Sequence, residues 1–157
     1  MSLEDYQEKR NFVKTSEPKG NVGNEDKKED KKEEKQSSIF VIQEHHSSHL
    51  HWDLRLEIDG VLKSWAVPKM PPTVKGERRL AIHVEDHPID YASFEGTIPV
   101  GNYGAGTVSI WDNGLFLLKE MSENKLIFEL NGKKMIGGYV LIKTPNMGKN
   151  SWLFFKR

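Results

Sequence analysis

The chain has 157 residues, enough for one domain with a substantial core and too few for two large ones. It carries 23 basic and 23 acidic residues, so its zero net charge gives no general attraction to polyanions, and a nucleic acid would need a local basic cluster. It has no cysteine, which excludes disulfides, thiolate zinc sites and a thiol nucleophile.

The chain divides into three parts by composition. Residues 1–20 include a few apolar side chains and are predicted to form an N-terminal arm that packs on the domain. Residues 21–37 alternate Lys with Glu and Asp and have almost no apolar side chain, which predicts a charged flexible linker. Residues 38–157 are predicted to form the compact domain. Neither an apolar signal core nor a run of about 20 apolar residues is present, so we expect a soluble cytoplasmic protein without membrane contact.

The compact part is patterned as short strands separated by turn signals such as Asp59-Gly60, Asp112-Asn113-Gly114 and Asn131-Gly132. No long helical pattern occurs, so the pattern predicts a mainly β fold, an antiparallel barrel or sandwich with little helix. The predicted strands are 39–43, 50–58, 61–67, 79–86, 107–111, 114–119, 125–130, 139–144 and 152–156.

Residues 50–58 alternate strictly between apolar and polar side chains. The even positions are apolar, whereas the odd positions include His51, Asp53 and Arg55. Because side chains of a strand alternate between its faces, one face is predicted to join the core and the other to carry a base, a carboxylate and a guanidinium in a row. His45 ends the preceding strand, and a hairpin there could bring it beside His51.

Two interpretations of this polar face remain open. The face could be an ordinary solvent-facing side of a half-buried strand, which is the commoner case. It could also be a metal site, because two imidazoles and a carboxylate suit Mn²⁺, Fe²⁺, Co²⁺ or Zn²⁺ and are poor ligands for Ca²⁺. Arg55 would then add a bidentate donor matched to phosphate or carboxylate. His46 and His49 are predicted to be solvated loop residues.

The segment RLAIHVEDHPIDY repeats the alternation. Arg79, His83, Glu85 and His87 share one parity and are predicted to share one polar face, with Tyr91 about one turn beyond the strand end. His83 is interpreted as a surface strand residue rather than a catalytic one. The glycine-rich segment EGTIPVGNYGAGTVSIW leads into a strand and lacks the Lys-Ser/Thr ending of a phosphate loop, so its glycines are predicted to serve tight turns.

Three blocks, KRNFVKTSEPKG, FVIQEHHSSHLHWDLRLEIDGVLKSWAVPK and EDHPIDYASFEGTIPVGNYGAGTVSIWDNG, resemble in this order the 3′-phosphoesterase family of bacterial DNA ligase D and its stand-alone archaeal and bacterial homologues. The resemblance implies a small antiparallel β-barrel that acts as a metal-dependent 3′-end-healing enzyme in DNA end joining. Members remove a 3′-terminal ribonucleoside and then hydrolyse the remaining 3′-phosphate to a 3′-hydroxyl. The implied cofactor is Mn²⁺, with Co²⁺ or Zn²⁺ as alternatives.

The resemblance also implies roles for individual residues. The metal ligands fall on His45, His51 and Asp53. Implied substrates and partners are the 3′ ends of primer-template DNA or RNA, a DNA ligase and other end-joining proteins, and we expect a monomer. The implied catalytic and phosphate-contacting residues are Arg55, His87 and Tyr91, assisted by Lys69 and Arg79, with Glu85, Arg10 and Glu17 as further functional positions.

The chain departs from the family pattern at four positions. Asn11 replaces an Asp and removes a carboxylate linked to activity, while Met70 replaces a Gly, Trp52 a Tyr and Glu44 a Lys. None of the four changes a metal ligand.

Two rival functions remain open from the sequence. His51 and Asp53 together with His87 also match the two-histidine, one-carboxylate triad of a non-haem Fe(II) oxygenase, although that scheme leaves His45 without a role. The other rival is a non-catalytic module that binds DNA ends, against which the complete metal set argues.

Overall fold

The computed structural model describes residues 2–10, 17–18 and 38–157. One short helix, α1 (Leu3–Glu8), begins with a capping box in which Ser2 and Asp5 exchange side-chain and backbone hydrogen bonds. Short 3-10 helices occupy Ile89–Ser93 and Pro145–Met147. The strands are β1 Ser38–His46, β2 Leu50–Ile58, β3 Val61–Val67, β4 Arg78–His87, β5 Gly96–Ile98, β6 Gly106–Met121, β7 Lys125–Asn131, β8 Ile136–Lys143 and β9 Ser151–Lys156.

The strands close into a ring. Each is antiparallel to its neighbours in the order β1-β2-β3-β4-β9-β8-β7-β6, and β6 returns to pair with β1. Strand β5 pairs with the first three residues of β6 and is not part of the eight-strand ring. The predicted mainly β fold, a small antiparallel barrel with little helix, is confirmed.

The apolar residues form two clusters on opposite sides of the barrel wall. The larger one fills the barrel and includes the fully buried Trp65, Phe128 and Phe154. The smaller one lies outside the wall, where Tyr6 of α1 packs with Tyr91 and other residues near the 3-10 helix. The outer side of the wall is therefore also covered, and polar residues on that side can be buried too.

The predicted hairpin at Asp112-Asn113-Gly114 is wrong, because β6 runs through these residues as one strand. The Asp112 carboxylate is buried and accepts hydrogen bonds from the backbone N–H groups of Asn113, Lys133, Lys134 and Met135. Gly114 lies so close to the neighbouring strand that an added Cβ would be 2.1 Å from a carbonyl oxygen. Asp112, which looks like a turn residue in the sequence, therefore stabilises the adjacent turn between β7 and β8.

The predicted common face of Arg79, His83, Glu85 and His87 is also wrong. In the β3–β4 pairing, Leu62 faces His87 and Ser64 faces Val84, so the one residue between them on β3 lies opposite two residues of β4. This β-bulge adds one residue to β4 and reverses its alternation. His83 therefore lies on the core side, stacked on Trp65 with ring centroids 5.0 Å apart, whereas Glu85 and His87 lie on the outer side.

The remaining differences concern strand β5, which the sequence pattern did not predict, and the first 37 residues. Of the predicted arm, residues 2–10 and 17–18 are described, and α1 packs against β4. Residues 21–37 lie outside the described residues, so the flexible linker stays a prediction. Within the described residues, no helix has the length and apolar character needed to cross a membrane.

Candidate active site

A cavity of about 300 Å³ opens on the outer side of the barrel wall. Strands β1 to β4 supply its floor, and its rim includes Arg10 and Glu17 of the arm, Tyr91 of the first 3-10 helix, and the pair Tyr103 and Gly104. Nine of the eleven predicted site residues line this pocket: Arg10, Glu17, His45, His51, Asp53, Arg55, Glu85, His87 and Tyr91.

The predicted metal ligands are in contact. His45 and His51 face each other in the β1–β2 pairing, as the hairpin prediction required, with ring centroids 4.7 Å apart. Asp53 lies two residues further along β2, 3.6 Å from His45 Nδ1 and 3.3 Å from His51 Nε2. One ligand atom from each of the three residues lies within 4.8 Å of the others, so a single cation can contact all three.

Backbone carbonyls fix the orientation of both imidazoles. His45 Nε2 is 2.7 Å from the Gly104 carbonyl oxygen, and His51 Nδ1 is 3.1 Å from the His49 carbonyl oxygen. Because a carbonyl can only accept, each of these nitrogens must carry the proton. His45 Nδ1 and His51 Nε2 are therefore the nitrogens that face Asp53 and that can bind a cation once they carry no proton, which is the arrangement expected of metal-binding histidines.

Charge keeps the central carboxylate ionised. Burial opposes ionisation of Asp53, but the Arg55 guanidinium and the two imidazoles hold its pKa well below the usual range. In His51, burial acts against the charged form, yet the contact with Asp53 raises the pKa overall. Asp53 is thus a negatively charged ligand before any cation binds.

Arg55 is buried beside the metal ligands and is held from several sides. Its Nε donates to Gln43 at 2.6 Å, its Nη2 lies 3.5 Å from Asp53, and its guanidinium lies 4.8 Å from the centre of the Tyr91 ring. Gln43 in turn donates to the carbonyls of Tyr91 and Phe94. The buried Nη1 has no hydrogen-bond partner among the described residues. A buried donor without a partner is costly, so its pairing with a bound ligand would be favourable.

The other half of the pocket is a hydrogen-bonded network anchored by the arm. Arg10 binds Glu17 at 3.0 Å and Glu85 at 3.2 Å, and its Nη2 lies 3.2 Å from His87 Nε2. Since the guanidinium only donates, His87 Nε2 accepts, and His87 Nδ1 donates to the Glu85 carbonyl. Burial and the charges of Arg55 and Arg10 lower the pKa of His87 well below its ordinary value, so the imidazole is neutral. Tyr91 donates its hydroxyl proton to Glu17.

Two predicted residues do not line the pocket. Lys69 is exposed just after β3, and Arg79 donates to the carbonyls of Met70 and Arg78 and faces Glu77. Val67 pairs with Trp52, so Lys69 lies at the same end of the sheet as the metal ligands but outside the cavity. The roles of Lys69 and Arg79 stay predictions.

The other two histidines of the β1–β2 hairpin lie on the surface. His46 pairs with Glu44 at 2.6 Å on the surface, and His49 is exposed, as expected of solvated residues. Asn11 lies outside the described residues.

Sequence reasoning missed several residues that shape the pocket. Gln43 supports Arg55, and Gly104 supports His45, but both act through bonds to distant parts of the chain. Lys9 lies 3.1 Å from Glu85, and Tyr103 forms part of the pocket wall. Gln43 could have been noticed because it is a polar residue at the end of an otherwise apolar strand sequence. The glycine-rich segment predicted only turns and gave no indication that Gly104 or Tyr103 would lie at the site.

The oxygenase triad finds no support in this geometry. The metal-compatible group consists of His45, His51 and Asp53, and His87 is not part of it. Both ring nitrogens of His87 are engaged, one by Arg10 and one by the Glu85 carbonyl.

Comparisons with known proteins identify the family to which the chain is similar. The family model of the DNA ligase D 3′-phosphoesterase domain matches residues 43–143. The multifunctional non-homologous end joining protein LigD of Pseudomonas aeruginosa is 43% identical over 160 residues, which cover 98% of this chain and 18% of that protein. The LigD protein of Mycolicibacterium smegmatis is 45% identical over 166 residues, covering 96% of this chain and 20% of that protein. The Mycobacterium tuberculosis protein is 50% identical over 111 residues, covering 68% of this chain and 15% of that protein. The chain thus spans a fifth or less of the length of these relatives.

Proposed function

This chain belongs to the family of DNA ligase D 3′-phosphoesterase domains, and on that premise we propose that it is a metal-dependent hydrolase that heals 3′ ends. The proposed substrates are the 3′ ends of primer-template DNA or RNA. In the first step a 3′-terminal ribonucleoside is removed, and in the second the remaining 3′-phosphate is hydrolysed to a 3′-hydroxyl. The relatives are named as end-joining proteins, so we propose that the enzyme acts beside a DNA ligase and other end-joining proteins.

One observation carries the proposal: a three-residue metal group lies next to a buried guanidinium with an unpaired donor. His45, His51 and Asp53 offer two nitrogens and one oxygen in mutual reach, a donor set suited to Mn²⁺, Co²⁺ or Zn²⁺. When bound, such an ion supplies Lewis-acid chemistry for attack of water on a phosphoryl group. Arg55 Nη1 can donate to a phosphate oxygen, which would satisfy a donor that is otherwise buried without a partner.

The network opposite the metal group supports the same chemistry. His87 is neutral, so its Nε2 can act as a general acid only after it has gained a proton. A phosphate dianion beside it would favour that protonation, because its negative charge would offset the charges of Arg55 and Arg10. Arg10 donates to His87 Nε2 while the imidazole is neutral. Once Nε2 is protonated it can no longer accept this bond, and the Arg10 N–H group can donate to the phosphate instead. Glu17 and Glu85 keep Arg10 in place by accepting its other N–H groups.

The decisive experiment uses purified protein and primer-templates that end in a 3′-phosphate or in one 3′-ribonucleotide. We expect phosphate release and a 3′-hydroxyl product with Mn²⁺, and no product with a chelator. His45→Ala and His51→Ala should each abolish the reaction while circular dichroism shows an unchanged fold. His46→Ala is the matched control, because His46 is a surface histidine of the same hairpin and lies outside the pocket.

The same assay separates the rivals. A protein that binds the 3′ end but yields no product with Mn²⁺, Co²⁺ or Zn²⁺ would be an end-binding module. Full activity of His51→Ala at ordinary Mn²⁺ concentrations would contradict the metal assignment. An oxygenase built on His51, Asp53 and His87 predicts that His45→Ala is harmless.

A further inference from the structure

The loop formed by residues 99–105 is attached to the metal group. Its carbonyl at Gly104 accepts the Nε2 proton of His45, and an added Cβ at Gly104 would lie 3.5 Å from the imidazole. The loop is closed by hydrogen bonds from the Asn102 backbone to Pro99 and from the Ala105 backbone to Asn102. Side chains of this loop therefore have a defined position relative to the reaction site.

The same loop presents apolar side chains to solvent at the edge of the pocket. Tyr103 lines the cavity and remains 48% exposed, whereas Tyr91, the other tyrosine of the lining, is 2% exposed and donates to Glu17. Val100 is 97% exposed. An exposed aromatic ring beside a reaction site is typical of a ligand contact, because burial against a flat ligand would remove its apolar area from water.

The charges around the Tyr103 ring are positive. The Lys9 ammonium lies 4.9 Å from the ring centre and 3.5 Å from the hydroxyl, and the Arg10 guanidinium lies 5.2 Å from the ring centre. Both cations come from the arm. The two cations lie over the ring, which nevertheless remains 48% exposed. Aromatic rings beside positive charge are the combination that single-stranded nucleic-acid sites use, with bases stacked on rings and phosphates near the cations.

We propose that Tyr103 is the stacking platform for the base of the terminal nucleotide, an inference that rests on the proposed function. The base and the 3′-phosphate are attached to the same sugar, so a phosphate held between Arg55 and the metal group leaves the base at the pocket edge. Tyr103 is the aromatic side chain available there among the described residues. Because every base has a π face, this platform positions the strand end without selecting a sequence.

A binding measurement tests the inference without any turnover. A primer-template with 2-aminopurine as its 3′-terminal base is titrated with metal-free protein while fluorescence is recorded. We expect the fluorescence to fall on binding to the parent protein and to Tyr103→Phe. With Tyr103→Leu the quenching should disappear and binding should weaken about tenfold, as for loss of one stacked base. Leu117→Ala, an exposed apolar residue outside the pocket, is the control and should match the parent.

A second measurement compares 3′-phosphate ends with and without a terminal base. For the normal end, Tyr103→Leu should raise KM about tenfold and leave kcat within about twofold. For an abasic 3′-terminal nucleotide, parent and variant should have equal KM. An equal loss on both substrates, or an equal loss in Tyr103→Phe, would overturn the platform. If the parent hydrolyses neither end but quenching still depends on Tyr103, the platform stands and the proposed hydrolase function fails.

Discussion

At the scale of single residues, Arg55 connects metal binding with phosphate binding. Its charge holds the pKa of Asp53 low, its Nε bonds Gln43, and its Nη1 is directed to no protein acceptor among the described residues. Only a planar group with several N–H donors can make these contacts at once. The residue is therefore sensitive to a change of shape even when its charge is kept.

Arg55→Lys should lower turnover on a 3′-phosphate end by at least about tenfold, since about 1.4 kcal/mol is the contribution of one charge-assisted hydrogen bond. The loss of the bond to Gln43 should also reduce the free energy of unfolding by about 1–3 kcal/mol. Mn²⁺ affinity, measured by titration without substrate, should change little, because lysine keeps the positive charge near Asp53. Arg78→Lys, at an exposed arginine, is the control. Unchanged turnover in Arg55→Lys would remove Arg55 from the phosphate site.

His83 should make the fold sensitive to acid. Burial, reinforced by the charges of Lys63 and Lys143, lowers its pKa from 6.5 to about 4. Between these values the unfolded chain binds a proton that the folded chain does not, so stability is complete above about pH 6.5 and falls as the pH drops towards 4.

His83→Phe keeps a ring against Trp65 and removes this proton. Chemical denaturation at several pH values should therefore show a shallower loss of stability in the variant. His87, whose pKa is also lowered, contributes with the same sign in both proteins and cancels in the difference. Parallel curves for the two proteins would contradict the assignment.

The sequence predicted part of the residue-scale picture. That His45 and His51 would meet followed from the hairpin, because only five residues separate them. The carbonyl that orients His45 belongs to Gly104, 59 residues away, and no local pattern announces such a bond. The burial of Asp53 and Arg55 was missed for a similar reason, since the layer that covers their face comes from the arm and the 3-10 helix.

At the scale of elements, Asp112 lies inside strand β6 and its side chain binds the backbone of the neighbouring β7–β8 turn. Its two carboxylate oxygens accept four backbone N–H groups, three of them from the β7–β8 turn. Asp112→Asn replaces an acceptor with an NH₂ group that faces N–H donors. The free energy of unfolding should fall by at least about 2 kcal/mol, because charge-assisted bonds are lost and buried donors stay unpaired.

Denaturant titration measures this effect, and Glu123→Gln, an exposed acid-to-amide change in the turn between β6 and β7, serves as control. A variant as stable as the control would show that the turn forms without the carboxylate.

The strand patterns located most of the ring, but alternation alone could not detect irregularities. Asp112-Asn113-Gly114 has the composition of a turn, and a β-bulge does occur beside it, where Gln43 faces Ile110 and Ile42 faces Asp112. The bulge between Val84 and His87 has no comparable marker in the sequence. Both irregularities depend on which strand lies alongside, and that is decided by the closed ring rather than by local preference.

At the scale of the whole molecule, residues 21–37 are predicted to be dispensable for folding. They lie outside the described residues and offer almost no apolar surface. Replacing them with a short neutral linker should change the free energy of unfolding by no more than about 0.5 kcal/mol, the usual range for surface changes. Glu17 must be kept, because it binds Arg10 and Tyr91. Slow amide exchange throughout the segment would contradict the prediction.

The closed ring also limits how another protein can attach. A strand at the edge of an open sheet has unpaired backbone N–H and C=O groups that can bind an extended peptide. In a barrel the two edge strands pair with each other, as β1 and β6 do here. Among the described strands, only the three-residue β5 lies beyond the ring, and it is followed by Pro99, which has no N–H to offer. Within the part of the chain that the structure describes, the ring thus leaves little strand edge for an added strand, and we expect the proposed repair partners to recognise the side chains of this domain instead.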